Sequence, residues 1–330
     1  MEMRKPNPDA IARCIRKART IAVVSHVNPD GDTLGSATAM RLILQKMGKE
    51  AALFCDGKIP DQLAFLPGAE TFRVPTGAEG PFDLMLAVDV SDVKRMGCCA
   101  LLMERSAKTA QIDHHPTNPL FMETNSVDGD APATCMMIRE QMKTLGVEMD
   151  RDIAVCLYTG ISTDTGNYAF SCTNAEAFRL TGELMEHHLP LAELNRILFR
   201  VKSREQIRLL GKALQSLTFR GQGRIAVMKL TQRDFAACGA LSEHADTIVN
   251  YGMDTQGTEM AVLARESEDG NVKFSLRAKE PRQVDEIAAA FGGGGHPQAS
   301  GITMEGTLDE AVEKVVCAME KYLDETGRQE

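Results

Sequence analysis

Between Thr20 and Ile161 the sequence alternates short, strand-length apolar runs with segments of helical length. That alternation constrains the fold more than any other feature of the chain. Thr20 to Ser25 (TIAVVS) is apolar and rich in β-branched residues, the pattern of a strand buried on both faces. Asp32 to Met47 follows, with Asp32 or Thr33 at a capping position and Gly48 as a stop, which predicts a helix. Glu50 to Cys55, Leu84 to Val90 and Thr109 to Ile112 predict further strands, and Ala131 to Leu145 and Asp150 to Ile161 predict helices. Parallel strands need a crossover of roughly a dozen residues or more, so this spacing predicts a doubly wound, mostly parallel α/β sheet.

The pattern changes near His187. A helix is predicted over 203–216, strands over Arg224–Leu230, Glu259–Arg265 and Val272–Ala278, and helices over 231–238, 242–250, 283–290 and 308–323. Glu266 to Asn271 between the last two strands is a hairpin loop. A chain of 330 residues exceeds what one core ordinarily serves. The predicted elements divide it into a first domain at 1–187, a connecting segment at 188–211 and a smaller α+β domain at 212–330, with a cleft expected between the two domains. No run approaches 18 apolar residues and Met1 to Asp9 lacks an apolar core, so neither a membrane span nor a secretory leader is expected. Nine cysteines, none in a Cys-x-x-Cys pair, read as reduced thiols in apolar runs (Cys55, Cys156, Cys317) and point to the cytoplasm.

Acids and histidines gather where the predicted elements end. Ser25-His26-Val27-Asn28-Pro29-Asp30-Gly31-Asp32 follows the first strand. Asp89-Val90-Ser91-Asp92 ends the Leu84 strand, Asp113-His114-His115 follows the Thr109 strand, and Ser162-Thr163-Asp164-Thr165-Gly166 closes a helix. Taken singly, each reads as a turn or a helix cap. Taken together, several carboxylates at the ligand-binding end of one sheet would repel unless a cation sat among them. Mixed Asp oxygen and His nitrogen donors suit manganese or a similar first-row ion. More than four donors suggest two ions, and a pair roughly 3.5–4 Å apart clamps a phosphoryl group.

The second half has its own anion chemistry. Gly292 to Gly295 allow close approach of backbone N–H groups to an anion, and His296 adds a donor; the alternative is a linker. Arg277 offers a guanidinium suited to phosphate, or else a solvated edge charge. The chain carries a net −9, which disfavours coating of long nucleic acid. Residues 196–224 nevertheless hold eight cations (Arg196, Arg200, Lys202, Arg204, Arg208, Lys212, Arg220, Arg224) against Glu205, a local +7. Residues 200, 204, 208 and 212 would share one helix face if the helix starts early, either as a solvated face or as a wall that attracts phosphates.

His26-x-x-Pro29-Asp30-Gly31-Asp32, Asp89-x-x-Asp92, Asp113-His114-His115 and Thr163-Asp164-Thr165-Gly166 resemble the motifs of the DHH phosphoesterase superfamily. Phe291-Gly292-Gly293-Gly294-Gly295-His296-Pro297-Gln298-Ala299-Ser300-Gly301 resembles the signature of its associated C-terminal domain. The resemblance spans nearly the whole chain and is nearest the compact two-domain type. It implies one manganese on His26, Asp30 and Asp89, and a second on Asp32, Asp89, His114 and Asp164. Other divalent ions could substitute, and a water or hydroxide between the two would be the nucleophile. It implies His115 beside the phosphate, and Asp113 and Asp92 as residues that orient the histidines, with a plain cap as the equal alternative for Asp92. Arg277, Gly293, Gly294, Gly295, His296 and Ser300 would hold substrate.

The activity so implied is hydrolysis of short oligoribonucleotides to nucleoside 5′-monophosphates and of 3′-phosphoadenosine 5′-phosphate to AMP. The partner would be short single-stranded RNA or a nucleotide, neither membrane nor long duplex, with a homodimer left open. The rival substrate is a linear or cyclic dinucleotide of the cyclic di-AMP type. Inorganic pyrophosphatase, a long-strand exonuclease and a non-catalytic nucleotide sensor fit less well.

Overall fold

The computed structural model describes residues 5–326. It divides into two compact units between Val201 and Lys202, inside the segment expected to connect two domains.

In the first unit, helix α1 (Pro8–Lys17) leads into strand β1 (Thr20–Val24), helix α2 (Gly31–Lys46) and strand β2 (Glu50–Phe54). Strands β3 (Leu84–Val88), β4 (Thr109–Asp113) and β5 (Thr124–Val127) follow, then helices α3 (Thr134–Leu145), α4 (Arg151–Asp164), α5 (Ala175–Met185) and α6 (Leu191–Asn195). The five strands are all parallel, in the order β2-β1-β3-β4-β5. β1, β3 and β4 are almost wholly buried, as their unbroken apolar runs require. Ile21 and Val23 of β1 face one core with α2, α3 and α4, while Ala22 and Val24 face a second with Met85, Met96 and Cys99. The strand order reverses between β1 and β3, and such a switch point is where open α/β sheets hold ligands.

The second unit begins with helix α7 (Arg204–Gln215) and strands β6 (Thr218–Arg220) and β7 (Ile225–Leu230). Helices α8 (Gln232–Cys238) and α9 (Val249–Met253), strands β8 (Met260–Glu266) and β9 (Val272–Ala278), and helix α10 (Asp285–Ala290) follow. Strands β10 (Gly294–His296) and β11 (Ala299–Met304) and helix α11 (Leu308–Thr326) complete it. Six strands form a mixed sheet in the order β10-β11-β9-β8-β7-β6, with β7 and β8 parallel and the other pairs antiparallel. α11 covers one face through Val315, Val316, Met319 and Leu323. α7, α8 and α9 cover part of the other through Leu209, Phe235 and Val249.

Three expectations change. The helix predicted over 242–250 is two short turns, Ser242–Ala245 and Val249–Met253. The four-cation helix face does not form. Arg196–Arg200 is a separate π-helical turn, and α7 starts at Arg204 behind a capping box made by Ser203 and Gln206, which takes Arg200 off the face. Lys212, Arg220 and Arg224 of the basic segment are tied to Asp234, to Glu313 and Glu320, and to Asp324. Cys317, expected in the core, is exposed and hydrogen-bonds Glu313; all nine cysteines are unbridged. Among the described residues no helix is long and apolar enough to cross a membrane.

Candidate metal centre and phosphate-binding strands

The ends of β1, β3, β4 and α4 meet at the switch point. Thr33 ties the first two together: its Oγ1 donates to Val88 O at 3.2 Å and accepts from His26 N at 3.3 Å. Asp30, and not Asp32 or Thr33 as expected, caps α2, accepting from Asp32 N and Thr33 N at 3.1 Å, so the helix starts one residue earlier at Gly31. α2 and α4 approach so closely that a Cβ on Gly31 would lie 2.4 Å from Thr163 Oγ1, and one on Gly160 would lie 2.4 Å from Asp32 Oδ1. These two glycines let the first and fourth clusters share one site. Asp89 turns in from β3 with φ of 59°, a conformation that costs a non-glycine residue about 1–2 kcal/mol and concentrates at functional positions.

Asp32 is fully buried, and its carboxylate is held from a distance. Helix α3 has Ala133 at its cap position, with no side-chain acceptor of its own. Asp32 supplies one instead, accepting from Thr134 N at 2.6 Å and Cys135 N at 2.9 Å. Thr134 Oγ1 also donates to Asp89 Oδ1 at 3.0 Å. The sequence reading missed this role of α3; its trace is a helix start with no Ser, Thr, Asp or Asn at the cap.

Six side chains converge. His26 Nε2 lies 3.5 Å from Asp30 Oδ2 and 3.4 Å from Asp89 Oδ2. His114 Nε2 lies 3.3 Å from Asp164 Oδ2, 3.5 Å from Asp89 Oδ1 and 4.0 Å from Asp32 Oδ2. Three groups, His26–Asp30–Asp89, Asp32–His114–Asp164 and Asp89–His114–His115, each keep their donor atoms within 4.8 Å of one another. Asp89 touches both histidines, one with each oxygen.

The histidine tautomers follow from their other nitrogens. His26 Nδ1 is 2.7 Å from Val27 O and His114 Nδ1 is 3.0 Å from Ala131 O, so each Nδ1 donates to a carbonyl. Both Nε2 atoms therefore aim at the carboxylates, and in neutral rings they bring lone pairs, not hydrogens. A lone pair facing a carboxylate is repulsive unless a cation or a proton lies between. In the metal-free protein a proton takes that place on His26. Burial lowers its basicity, but Asp30 and Asp89 outweigh burial and push its pKa up to about 10. Burial, then the charge of Asp89, raises Asp32; burial, then Asp32 and Asp89, raises Asp164. The donor set thus fits divalent cations: four carboxylates, with Asp32 and Asp89 buried and Asp30 half-exposed, crowd with imidazole lone pairs at one point.

His115 stands beside the cluster. Its Nδ1 donates to Asp113 Oδ1 at 2.7 Å, and Asp113 is itself held by Asn118 Nδ2 at 2.6 Å. Burial opposes protonation of His115, but Asp113 more than offsets it and raises the pKa. Asp92 caps the following turn, accepting from Lys94 N and Arg95 N at 2.7 and 3.1 Å. Arg95 escaped the sequence reading. Its Nη2 is 3.2 Å from His26 Nδ1, but that nitrogen already donates to Val27 O, so two donors face each other. The guanidinium keeps its hydrogens for another acceptor.

In the second unit, Arg277, Ala299 and His296 form one cross-strand row through β9, β11 and β10. Neighbouring strands lie about 5 Å apart, so Arg277 and His296 flank the small Ala299 at a span of about 10 Å. Burial lowers the Arg277 pKa; its Nη1 donates to Leu276 O at 2.9 Å. Gly293 and Gly295 press on β11: a Cβ on either would lie 2.1 Å from Gly301 O or 2.5 Å from Ala299 O. Gly294 is open. Ser300 pairs with Leu276 and Gly295, on the opposite face from Arg277, and its Oγ donates to His296 O at 2.9 Å.

Residues 20–161 match the DHH family, N-terminal domain, and residues 223–325 match the DHHA1 domain. A Thermus thermophilus protein named bifunctional oligoribonuclease and PAP phosphatase NrnA is 35% identical, over 93% of this chain and 91% of its own. A Bacillus subtilis protein of the same name is 29% identical over 91% of this chain and 94% of its own. The crystal structure of an exopolyphosphatase-related protein from Bacteroides fragilis shares the fold, with a TM-score of 0.87, 23% identity and coverage of 96% and 95%. By these matches, which span both units, the chain belongs to the DHH family of phosphoesterases.

Proposed function

We propose that the chain is a divalent-metal-dependent phosphoesterase that hydrolyses short oligoribonucleotides to nucleoside 5′-monophosphates and 3′-phosphoadenosine 5′-phosphate to AMP. One observation carries the metal: two imidazole Nε2 atoms aim into a group of four carboxylates while both Nδ1 atoms donate to main-chain carbonyls. The names of the relatives carry the substrate. His26, Asp30 and Asp89 would hold one cation, and Asp32, Asp89, His114 and Asp164 a second. Bound there, two divalent ions, manganese first, would polarise a phosphoryl oxygen and lower the pKa of a water toward neutrality.

The chain's own residues do the rest. Asp113 fixes His115 through Nδ1 and favours the protonated ring, and in that imidazolium form Nε2 has a proton for the phosphate. Arg95 has unspent donors next to His26 and meets a substrate oxygen. In the second unit Arg277 and His296 grip a further phosphate, Gly294 leaves its backbone open to it, and Ser300 holds the hairpin through the His296 carbonyl.

A substrate panel tests this. Purified protein with manganese is given a dinucleotide, a pentanucleotide, 3′-phosphoadenosine 5′-phosphate, a cyclic dinucleotide and pyrophosphate. Turnover of the dinucleotide and the bisphosphate, lost in chelator, is expected. Turnover that survives chelation sinks the metal, and preference for the cyclic dinucleotide or pyrophosphate sinks the substrate assignment.

A further inference from the structure

The chain turns sharply just past Asp164. Gly166, Asn167 and Tyr168 take φ of 56°, 55° and 67°, three left-handed residues in succession, of which the bulky Tyr168 bears the steric cost. The turn is bonded back onto the end of α4. Gly166 N donates to Thr163 O at 3.0 Å, Asn167 N to Ser162 O at 2.7 Å and Phe170 N to Thr165 O at 2.9 Å. Cys172 Sγ donates to Asp164 O at 3.6 Å, so residues 165–172 wrap the residue whose carboxylate faces His114.

The strained turn presents a ring. Phe170 is 59% exposed, although a phenyl group is ordinarily buried. Its underside rests on Gly166: a Cβ there would lie 2.5 Å from ring atoms Cε1 and Cζ. Glycine is therefore required twice, for the positive φ and for the ring above it. The base of the turn is braced. Tyr168 stacks on Phe178 with centroids 5.0 Å apart and planes at 28°, and its hydroxyl meets Thr181 Oγ1 at 2.7 Å. A ring fixed from below by backbone and open above is a surface for another planar ring.

We propose that Phe170 is a base-stacking platform for the nucleoside next to the phosphate being cleaved. This rests on the nucleotide reading above and gives that site a contact with the base. Every base has a π-face, so stacking selects for a nucleobase without reading which one. The platform separates base-bearing substrates from phosphate esters that lack a base.

The test uses the full-length, metal-loaded protein and a dinucleotide paired with its abasic analogue. Wild type should favour the base-bearing member in kcat/KM by about fivefold to a hundredfold, the range that one stacked base supplies. In Phe170→Ala that ratio falls toward one; Phe170→Trp restores it, and Phe170→Leu, apolar but not planar, does not. Phe219→Ala, an exposed ring of the second unit, keeps the wild-type ratio. A Phe170→Ala ratio equal to wild type overturns the proposal, as does rescue by leucine. Dissociation constants for AMP and ribose 5-phosphate give the same comparison without turnover. If no nucleotide is hydrolysed, yet Phe170→Ala removes the preference for AMP, the activity assignment fails and the platform stands; equal affinities in wild type remove the platform.

Discussion

The two candidate sites are built on opposite plans. In the first unit Asp32, Asp89, His26 and Asp113 are buried, Asp30 is half-exposed, and the group is fixed from several sides. Asp32 is held by α3 and Asp89 by Thr134, His26 and His114 are held by main-chain carbonyls, and His115 is held through Asp113 by Asn118. In the second unit the row of Arg277, Ala299 and His296 lies on a strand surface, and His296 is exposed. A buried group of like charges is unfavourable until something neutralises it, so the first plan commits the fold to a ligand that must be a cation. A surface row of donors costs the fold little when empty, which suits a group that substrates visit and leave.

The sharpest break of this comparison is a change with opposite effects on stability and activity. Asp164 is held above the usual carboxylate range by burial and then by Asp32 and Asp89. Asp164→Asn removes that repulsion, so the metal-free protein should gain about 1 kcal/mol, or roughly 2–4 °C in Tm. Phosphoesterase activity with manganese should fall by about 10³-fold or more, the scale on which an essential group acts. A variant that loses both activity and stability would mean that the carboxylate is structural.

Metal removal tests the same plan across pH. His26 has its pKa raised to about 10 in the fold, so its contribution to metal-free stability is full below about 6.5 and is lost as pH rises toward 10. Asp32 and Asp164 are raised too, and what they contribute when protonated is lost as pH climbs from the ordinary carboxylate value. Melts in chelator should therefore show Tm falling from pH 6 to pH 9. Manganese at about 100 times its Kd should add about 2.7 kcal/mol per site and flatten that slope, releasing protons as it binds. A slope the same with and without metal would separate the cation from these residues.

For the second plan, Arg277→Ala should raise KM for the bisphosphate by about 10- to 100-fold, the weight of a lost charge-assisted phosphate contact, with a smaller change in kcat. Because the residue is only half-buried and belongs to no group of like charges, Tm should move by less than in Asp164→Asn. A large drop in kcat at constant KM would instead place Arg277 at the reacting centre.

The first plan was far more legible in the sequence than the second. The acids and histidines follow β1, β3 and β4, and buried parallel strands announce themselves as continuous apolar runs. β5 (TNSV) was missed because it is short, polar and half-buried at the sheet edge. α1 was missed as well, although Asn7 and Pro8 mark its start and Ile11, Ala12 and Ile15 its buried face. The cap that Asp32 gives α3 lies 102 residues away in sequence, so the local pattern shows only a missing cap at Ala133 and not the residue that supplies it. In the second unit the glycine run was legible as a motif, but its reason was not. Gly293 and Gly295 are glycines because β11 lies against them, and Ser300 lies on the face opposite Arg277 because strands alternate.

The basic segment gives the smallest effect and the one that depends most on conditions. Its eight cations looked like one wall, yet Lys212, Arg220 and Arg224 face acids, and Arg200 is off the helix. Arg204 and Arg208 remain on α7, one turn apart. Two exposed charges act at long range through the solvent and are screened within about 8 Å at physiological salt. The double variant Arg204→Ala/Arg208→Ala should therefore lower kcat/KM for a dinucleotide only severalfold at low ionic strength, with no effect at high salt and no change in Tm beyond about 1 °C. Loss of activity that persists at high salt would mean direct contact with substrate and would give the second unit a second anion site beside the Arg277 row. Loss that vanishes with salt leaves the segment as a field that draws phosphates in, which a chain of net −9 otherwise repels.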